Sequence, residues 1–218
     1  VEDNIAPELI EHLERTSRYR ERRAEIAAWN EASPVIKRGL ALTPVKFGIS
    51  FTATHYNQAG ALLHVYSDGT ALLNHGGTEM GQGLFTKVQQ VVAQELGIAP
   101  DRVRVTASDT SKVPNASPTA ASSGSDLNGM AARDAARTLR GRLAAHAARM
   151  LGCTADAVEF RDGVASGGDK SIPFAKLARA AYLARVQLSA TGFYATPKVH
   201  YDPKSLTGRP FFYFSYGA

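Results

Sequence analysis

The sequence predicts an α/β fold built from two-layer units, sheets covered by helices on one face. Three observations carry this reading. Strand-like apolar runs and stretches with apolar residues at helical spacing follow one another along the 218 residues. Turn signals separate them, above all Asp68-Gly69 and Asp162-Gly163. The composition, 44% hydrophobic and 21% charged with 19 Gly and 10 Pro, is that of a globular protein and excludes disordered, collagen and coiled-coil classes. Folding a chain of this length buries roughly 70% of its unfolded surface, enough for one large core or two modest ones.

Leu9, Ile10, Leu13, Ile26 and Trp29 fall on one side of a helix, which predicts a single helix over residues 7–30, ended by Pro34. Residues 35–46 read as a connector into an extended region beginning at Val45. Residues 61–66 and 70–73 form a hairpin, with Asp68-Gly69 expected in a tight two-residue turn. Gly76, Gly77, Gly81 and Gly83 then lead into a helix carrying Leu84, Val88, Val91, Val92 and Leu96, stopped by Gly97. Val103 and Val105 suggest a short strand, and residues 108–125, rich in Ser, Thr, Asn and Pro, a loop. Asp126 can open the next helix, reaching about Leu151, whose Ala131, Ala135, Leu139, Leu143 and Ala147 form a small-residue face for close packing. A second hairpin at 158–165, a helix at 174–183 and strands at 186–196 and 211–216 complete the chain. Its last eight residues hold five aromatics. A terminal aromatic strand exposes an unpaired edge, so the polypeptide is expected to continue. The expected organisation is an N-terminal helix and connector (1–40), then two αβ portions (41–218) divided near residues 108–125 and continuing beyond both chain ends.

Lys and Arg outnumber Asp and Glu 25 to 20, a mildly basic balance. Arg15, Arg18, Arg20, Arg22 and Arg23 alternate with Glu8, Glu11, Glu14, Glu21 and Glu25, as on a solvated helix face with internal ion pairs. Nucleic-acid binding needs an unopposed basic stripe, so no nucleic-acid partner is expected. No apolar run approaches eighteen residues and the first thirty are highly charged, so neither a membrane span nor a secretory leader is expected, and the location is read as cytoplasmic. Cys153 is the one cysteine, which rules out an internal disulfide, and no Cys-x-x-Cys or His-x-x-x-His spacing offers a metal site.

Two loops stand out. His75-Gly76-Gly77-Thr78-Glu79-Met80-Gly81-Gln82-Gly83 ends where a helix begins, so free backbone N–H groups and the helix dipole favour an anion. Its spacing matches neither Gly-x-Gly-x-x-Gly nor the phosphate loop, and Lys87 lies four residues past Gly83. A tight turn before a helix is the competing reading. Pro118-Thr119-Ala120-Ala121-Ser122-Ser123-Gly124-Ser125 also leads into a helix. Together the loops suit either a ligand with a phosphate and several heteroatoms, held by backbone groups, or close helix packing alone.

These runs, with Phe47-Gly48-Ile49-Ser50-Phe51-Thr52, Asn57-Gln58-Ala59-Gly60-Ala61, Val113-Pro114-Asn115-Ala116-Ser117, Gly192-Phe193-Tyr194 and the terminal Phe212-Tyr213-Phe214-Ser215-Tyr216-Gly217, resemble the molybdopterin-binding part of the xanthine dehydrogenase and aldehyde oxidase family. The resemblance runs in register from about residue 40 to the end. It implies the molybdopterin-binding domain fold of that family, a molybdenum–molybdopterin cofactor lined by Met80, Gly81, Gln82, Ala121 and Ser122, and a purine substrate, xanthine or hypoxanthine, touched by Phe51 and Thr52. The implied reaction is oxidation to urate with oxygen from water. Iron–sulfur (2Fe-2S) clusters, FAD and NAD are implied on other segments or another subunit, in a dimer of heterodimers. The family's catalytic glutamate, in a Gly-Glu-Pro motif, and further substrate-binding residues lie outside this segment; Glu79 is not its counterpart. An aldehyde oxidase-type hydroxylase and a non-catalytic anion- or nucleic-acid-binding α/β domain are the alternatives.

Overall fold

A computed structural model describes residues 4–218. In chain order it contains helices α1 (Ala6–Thr16) and α2 (Tyr19–Ala32), strand β1 (Val45–Ile49), a 3-10 turn at Thr54–Tyr56, strands β2 (Gln58–Val65) and β3 (Ala71–His75), helix α3 (Leu84–Leu96) and strand β4 (Val103–Val105). Helix α4 (Gly124–Leu151), strands β5 (Glu159–Arg161), β6 (Val164–Gly167) and β7 (Lys170–Pro173), helix α5 (Phe174–Leu183) and strands β8 (Ser189–Ala195), β9 (His200–Asp202), β10 (Thr207–Arg209) and β11 (Tyr213–Gly217) follow. The contacts divide the chain into two units, one joining the described residues up to Ile49 with Phe211–Ala218, the other Ser50–Pro210.

In the larger unit β4, β3, β2 and β8 form a sheet in that order. The β2–β3 and β2–β8 pairs are antiparallel, while β3 and β4 run parallel, joined by the α3 crossover. Helices α3 and α4 cover one face. Leu63 and Leu73 from the sheet, Leu84, Val88, Val92 and Leu96 from α3, and Ala131, Ala135, Leu139, Leu143 and Ala147 from α4 have essentially no solvent exposure. The expected small-residue face of α4 is therefore the packing face. Its small size has a geometric cause: a Cβ added at Gly192 of β8 would collide with the Ala131 carbonyl oxygen and lie 2.5 Å from the Ala135 nitrogen. The strand backbone rests directly on the helix. A second antiparallel sheet, β5-β6-β7, joins the same core through Phe160 and Ala165. This is the helix-on-sheet architecture the sequence predicts.

The hairpin turn differs from expectation. Gly69 N donates to Tyr66 O (2.9 Å) and Tyr66 N to Thr70 O (2.8 Å), a three-residue loop in which Gly69 alone takes positive φ (+79°). Asp68 stays out of the left-handed region because its carboxylate accepts from Thr70 N and Oγ1, at 2.9 and 2.6 Å. Strands β7, β9 and β10 have no counterpart in the sequence reading, being short and mostly exposed with no apolar alternation.

In the smaller unit the predicted single helix is two. The Thr16 and Ser17 hydroxyls donate back to His12 O (2.9 Å) and Leu13 O (2.6 Å), and Arg18 turns left-handed (φ 52°) before α2 begins. Back-bonding hydroxyls compete with helix propagation. Arg18 meets Glu21 and Glu25, and Arg20 meets Glu14, as the alternating charges predict. The terminal aromatic strand expected to expose an edge is β11, which pairs along one side, antiparallel with β1, from Val45↔Gly217 to Ile49↔Tyr213 in a two-stranded sheet. Gly48 permits this, since a Cβ there would lie 2.6 Å from the Phe211 ring.

Candidate functional site

The site begins where β3 ends. Asn74 and His75 are buried, and both are pinned by the segment after β4: the Thr106 hydroxyl donates to Asn74 Oδ1 (2.7 Å), and the Ser108 hydroxyl to His75 O (3.2 Å) and Gly77 O (2.9 Å). His75 Nδ1 accepts from Gly77 N (3.1 Å), which places the imidazole proton on Nε2. Burial lowers the His75 pKa to about 4, partly opposed by the Asn128 side chain, so the ring is neutral. Gly76 and Gly77 abut Ala116, Leu84 and Asn128 with no room for a Cβ, so the strand exit is a tightly packed channel.

From there the glycine loop curls around a carboxylate of its own. Glu79 Oε1 accepts from Gly81 N (2.9 Å) and Gly83 N (3.0 Å), and Oε2 from Phe85 N (3.0 Å) in the first turn of α3. Those bonds hold the carboxyl below its ordinary pKa, the one from Phe85 contributing most. The expectation of free N–H groups at this helix start is thereby corrected: Glu79 fills the position that an outside anion would take. Gln82 closes the other half of the loop, its Oε1 accepting from Met80 N (2.6 Å) and its Nε2 donating to Thr78 O (2.9 Å).

The second loop supplies what the first does not. Thr78 N donates to Thr119 Oγ1 (2.8 Å), joining the two loops directly. Ala120 N and Ser123 N are used within the loop, bonding to Pro118 O and Ala120 O. Ala121 and Ser122 both take left-handed conformations, φ 52° and 54°. Such backbone costs roughly 1–2 kcal/mol for a non-glycine residue and collects at functional sites. Among the described residues no acceptor meets the N–H of Ala121 or Ser122. Both face a pocket of about 470 Å3 that is also lined by Met80, Gln82, Lys87 and Thr119. Met80 is exposed, and Gly81 lies between Met80 and Gln82 at φ +96°, with nothing within 4 Å of where its Cβ would stand.

Phe51 and Thr52 are not among the residues lining this pocket. Thr52 lies in a bend and Phe51 immediately before it, where Asn57 holds Phe51: Phe51 N donates to Asn57 Oδ1 (2.7 Å) and Asn57 Nδ2 donates to Phe51 O (2.9 Å). Asn57 is 2% exposed. The Phe51 ring, half-buried, meets Tyr56 edge-on at 5.4 Å, and Thr52 is exposed. The Ser117 hydroxyl bonds to Tyr56 O and to Gln58 O (3.2 Å), tying this bend to the segment just before the second loop.

The roles of Glu79, Thr119 and Asn57 escape sequence reasoning. Only Glu79 left a signal, an acidic residue shortly before a helix start. The arginines of α4 are occupied: Arg133 and Arg140 reach Glu95 of α3 at 3.1 and 3.4 Å, and Arg142 donates to Ser189 O at 2.8 Å. Among the described residues no three His, Cys, Asp or Glu side chains group as metal ligands, and no helix is long and apolar enough to cross a membrane.

The sequence profile of the molybdopterin cofactor-binding domain family matches residues 12–218. The chain belongs to that family. This molybdopterin-binding domain is 45% identical over 95% of its length to the xanthine dehydrogenase of Oryza sativa subsp. japonica. It is 44% identical over 97% to the xanthine dehydrogenase/oxidase of Felis catus. It spans 14% of the length of each. Among solved structures, quinoline 2-oxidoreductase from Pseudomonas putida 86 superposes with a TM-score of 0.72 at 21% identity, over 97% of the domain and 30% of that chain. Aldehyde oxidoreductase from Desulfovibrio gigas gives 0.65 at 18% identity, over 97% and 20%. At those identities the likeness is one of fold.

Proposed function

We propose that this domain is a molybdopterin-binding segment of a molybdenum hydroxylase of the xanthine dehydrogenase type, acting on hypoxanthine and xanthine. Met80, Gly81, Gln82, Ala121 and Ser122 line the cofactor, and Phe51 and Thr52 touch the purine. The observation that carries the reading is the pocket between the two loops, where the unpaired N–H groups of Ala121 and Ser122 share a cavity with Gln82 and Lys87. The donor set fits a polar, phosphorylated pterin: backbone N–H groups, an amide and an ammonium, with the nearby Glu79 carboxylate already saturated by its own loop. A volume of about 470 Å3 lies within the range of small-molecule and cofactor pockets.

When bound, the molybdenum cofactor supplies the redox centre at which a carbon flanked by nitrogen is hydroxylated with oxygen from water. The chain's own residues bind and orient. The N–H groups of Ala121 and Ser122 donate to pterin or phosphate acceptors, and their left-handed backbone is set before the ligand arrives, which limits the ordering cost of binding. Gln82 presents one donor and one acceptor from a fixed loop. The Phe51 ring, with Tyr56 on one edge, offers a purine an aromatic contact worth roughly 0.5–1.5 kcal/mol beyond burial. The Thr52 hydroxyl hydrogen-bonds a purine heteroatom. The catalytic glutamate, the 2Fe-2S clusters, FAD and the NAD site belong to the remainder of the enzyme, a cytoplasmic dimer of heterodimers.

The test is molybdenum per chain by elemental mass spectrometry on the full-length native protein from a host that makes the cofactor, followed by xanthine turnover. Near-stoichiometric metal with purine oxidation is expected. Absence of molybdenum refutes the reading. Metal with aldehyde but no purine turnover refutes the substrate assignment alone.

A further inference from the structure

We propose that Glu79 is the positioning residue of the glycine loop, holding Met80, Gly81 and Gln82 against the Ala121–Ser122 loop through the bonds it accepts from Gly81, Gly83 and Phe85. This rests on the cofactor reading above and deepens it.

The loop needs such an anchor. Gly81 and Gly83 sit at φ +96° and +75° with nothing within 4 Å of a Cβ position, so no packing confines them. Fixing each backbone residue costs about 1–2 kcal/mol of entropy, most for glycine. A single carboxylate offsets this by gathering three N–H groups two, four and six residues along the chain. Charge-assisted bonds of this kind are roughly twice as strong as neutral ones. The α3 dipole adds to them, since the carboxylate lies at the helix N-terminus.

The Gln82 bonds interlace with these. Glu79 takes the N–H groups of residues 81, 83 and 85, while Gln82 takes Met80 N and Thr78 O. Thr78 N in turn holds Thr119 of the second loop. Releasing Glu79 therefore frees the backbone that carries Gln82, and with it one wall of the pocket. The same arrangement assigns the parts: with the α3 N-terminus filled from within, cofactor anions are met by the Ala121–Ser122 loop and Lys87, and the glycine loop contributes the Gln82 amide and close backbone approach. Held below its usual pKa by these bonds, Glu79 stays an ionised acceptor for them.

The test uses full-length protein carrying Glu79→Ala, Glu79→Gln, Gln82→Ala and the Glu79→Ala/Gln82→Ala pair. Hydrogen exchange by mass spectrometry on the cofactor-free protein reads the loop directly. Glu79→Ala should speed exchange over residues 78–86 by about tenfold or more and leave residues 124–151 unchanged. Glu79→Gln, nearly the same shape without the charge, should lie between and serves if the alanine variant does not fold. Molybdenum retained per chain after gel filtration reads the consequence. Each single variant should lose several-fold, and the pair no more than Glu79→Ala alone, since coupled residues are not additive. Unchanged loop exchange overturns the anchoring. Faster loop exchange with wild-type molybdenum retention, or strictly additive losses, overturns the positioning role. Wild-type protein without molybdenum overturns the cofactor reading and this role together, whereas metal-loaded wild type with equally loaded Glu79→Ala sinks the role alone.

Discussion

Asn57→Ala should loosen the segment bearing Phe51 and Thr52 without touching the pocket between the two loops. The Asn57 side chain is 2% exposed, donating to Phe51 O at 2.9 Å and accepting from Phe51 N at 2.7 Å. Alanine removes both partners. Each intramolecular hydrogen bond contributes about 1 kcal/mol net, and a buried group left unpaired costs about 1–3 kcal/mol. Phe51 is only half-buried, so water re-solvates part of what is lost, and the sum settles near 2 kcal/mol. If that energy is drawn from ordering the proposed substrate contact, it corresponds to about 30-fold in purine affinity. The assay is xanthine KM and kcat on full-length protein, with molybdenum content as the control. A raised KM with unchanged metal is expected. Asn57→Asp, which keeps an acceptor but sets a carboxylate oxygen against Phe51 O, should be as damaging. Unchanged KM and unchanged stability in both variants would show that the clamp does not position Phe51, and equal losses of metal and affinity would show that it serves the whole fold.

Thr52→Ala should raise xanthine KM about fivefold or more for a lost hydrogen bond, with molybdenum unchanged; wild-type KM would remove Thr52 from the substrate. Leu139→Ala, at a position with no solvent exposure, should cost about 2–5 kcal/mol in urea unfolding, whereas a cost below 1 kcal/mol would mean α4 is not the core helix. Gly192→Ala should cost about 1–3 kcal/mol by forcing β8 off α4, read as a lower unfolding midpoint. For His75 the folded pKa lies near 4 against about 6.5 unfolded, so the unfolded chain binds the extra proton. Its contribution to stability is full above pH 6.5 and is lost as pH falls toward 4, a swing of about 3 kcal/mol. A melting temperature falling more steeply with acid in wild type than in His75→Gln checks this, and parallel pH profiles would refute it.

The longer helices and strands were legible in the sequence because they rest on local rules, whereas β7, β9, β10 and the break between α1 and α2 were not. Gly97 ends α3 at φ +66° and Gly152 ends α4 at +78°, each a left-handed stop, and the apolar positions of both helices recur at the spacing that packing requires. The two loops were legible for the same reason, small residues running into a helix start. What the loops do with their hydrogen-bond donors was not. A backbone N–H has no preference for a partner until the fold brings one near, and the deciding partners came from the loop's own curl, as with Glu79, or from far along the chain. Thr78 and Thr119 lie 41 residues apart, and the Ser117 hydroxyl finds Tyr56 at a separation of 61. The pairing of β11 with β1 joins residues as far apart as Val45 and Gly217 and gives the terminal aromatic strand a partner along one edge. By itself the sequence determined the helix-on-sheet architecture and the two loops. Tertiary structure decided that Ala121 and Ser122 keep free donors, while Glu79 takes the N–H groups of Gly81 and Gly83 and Gln82 takes that of Met80.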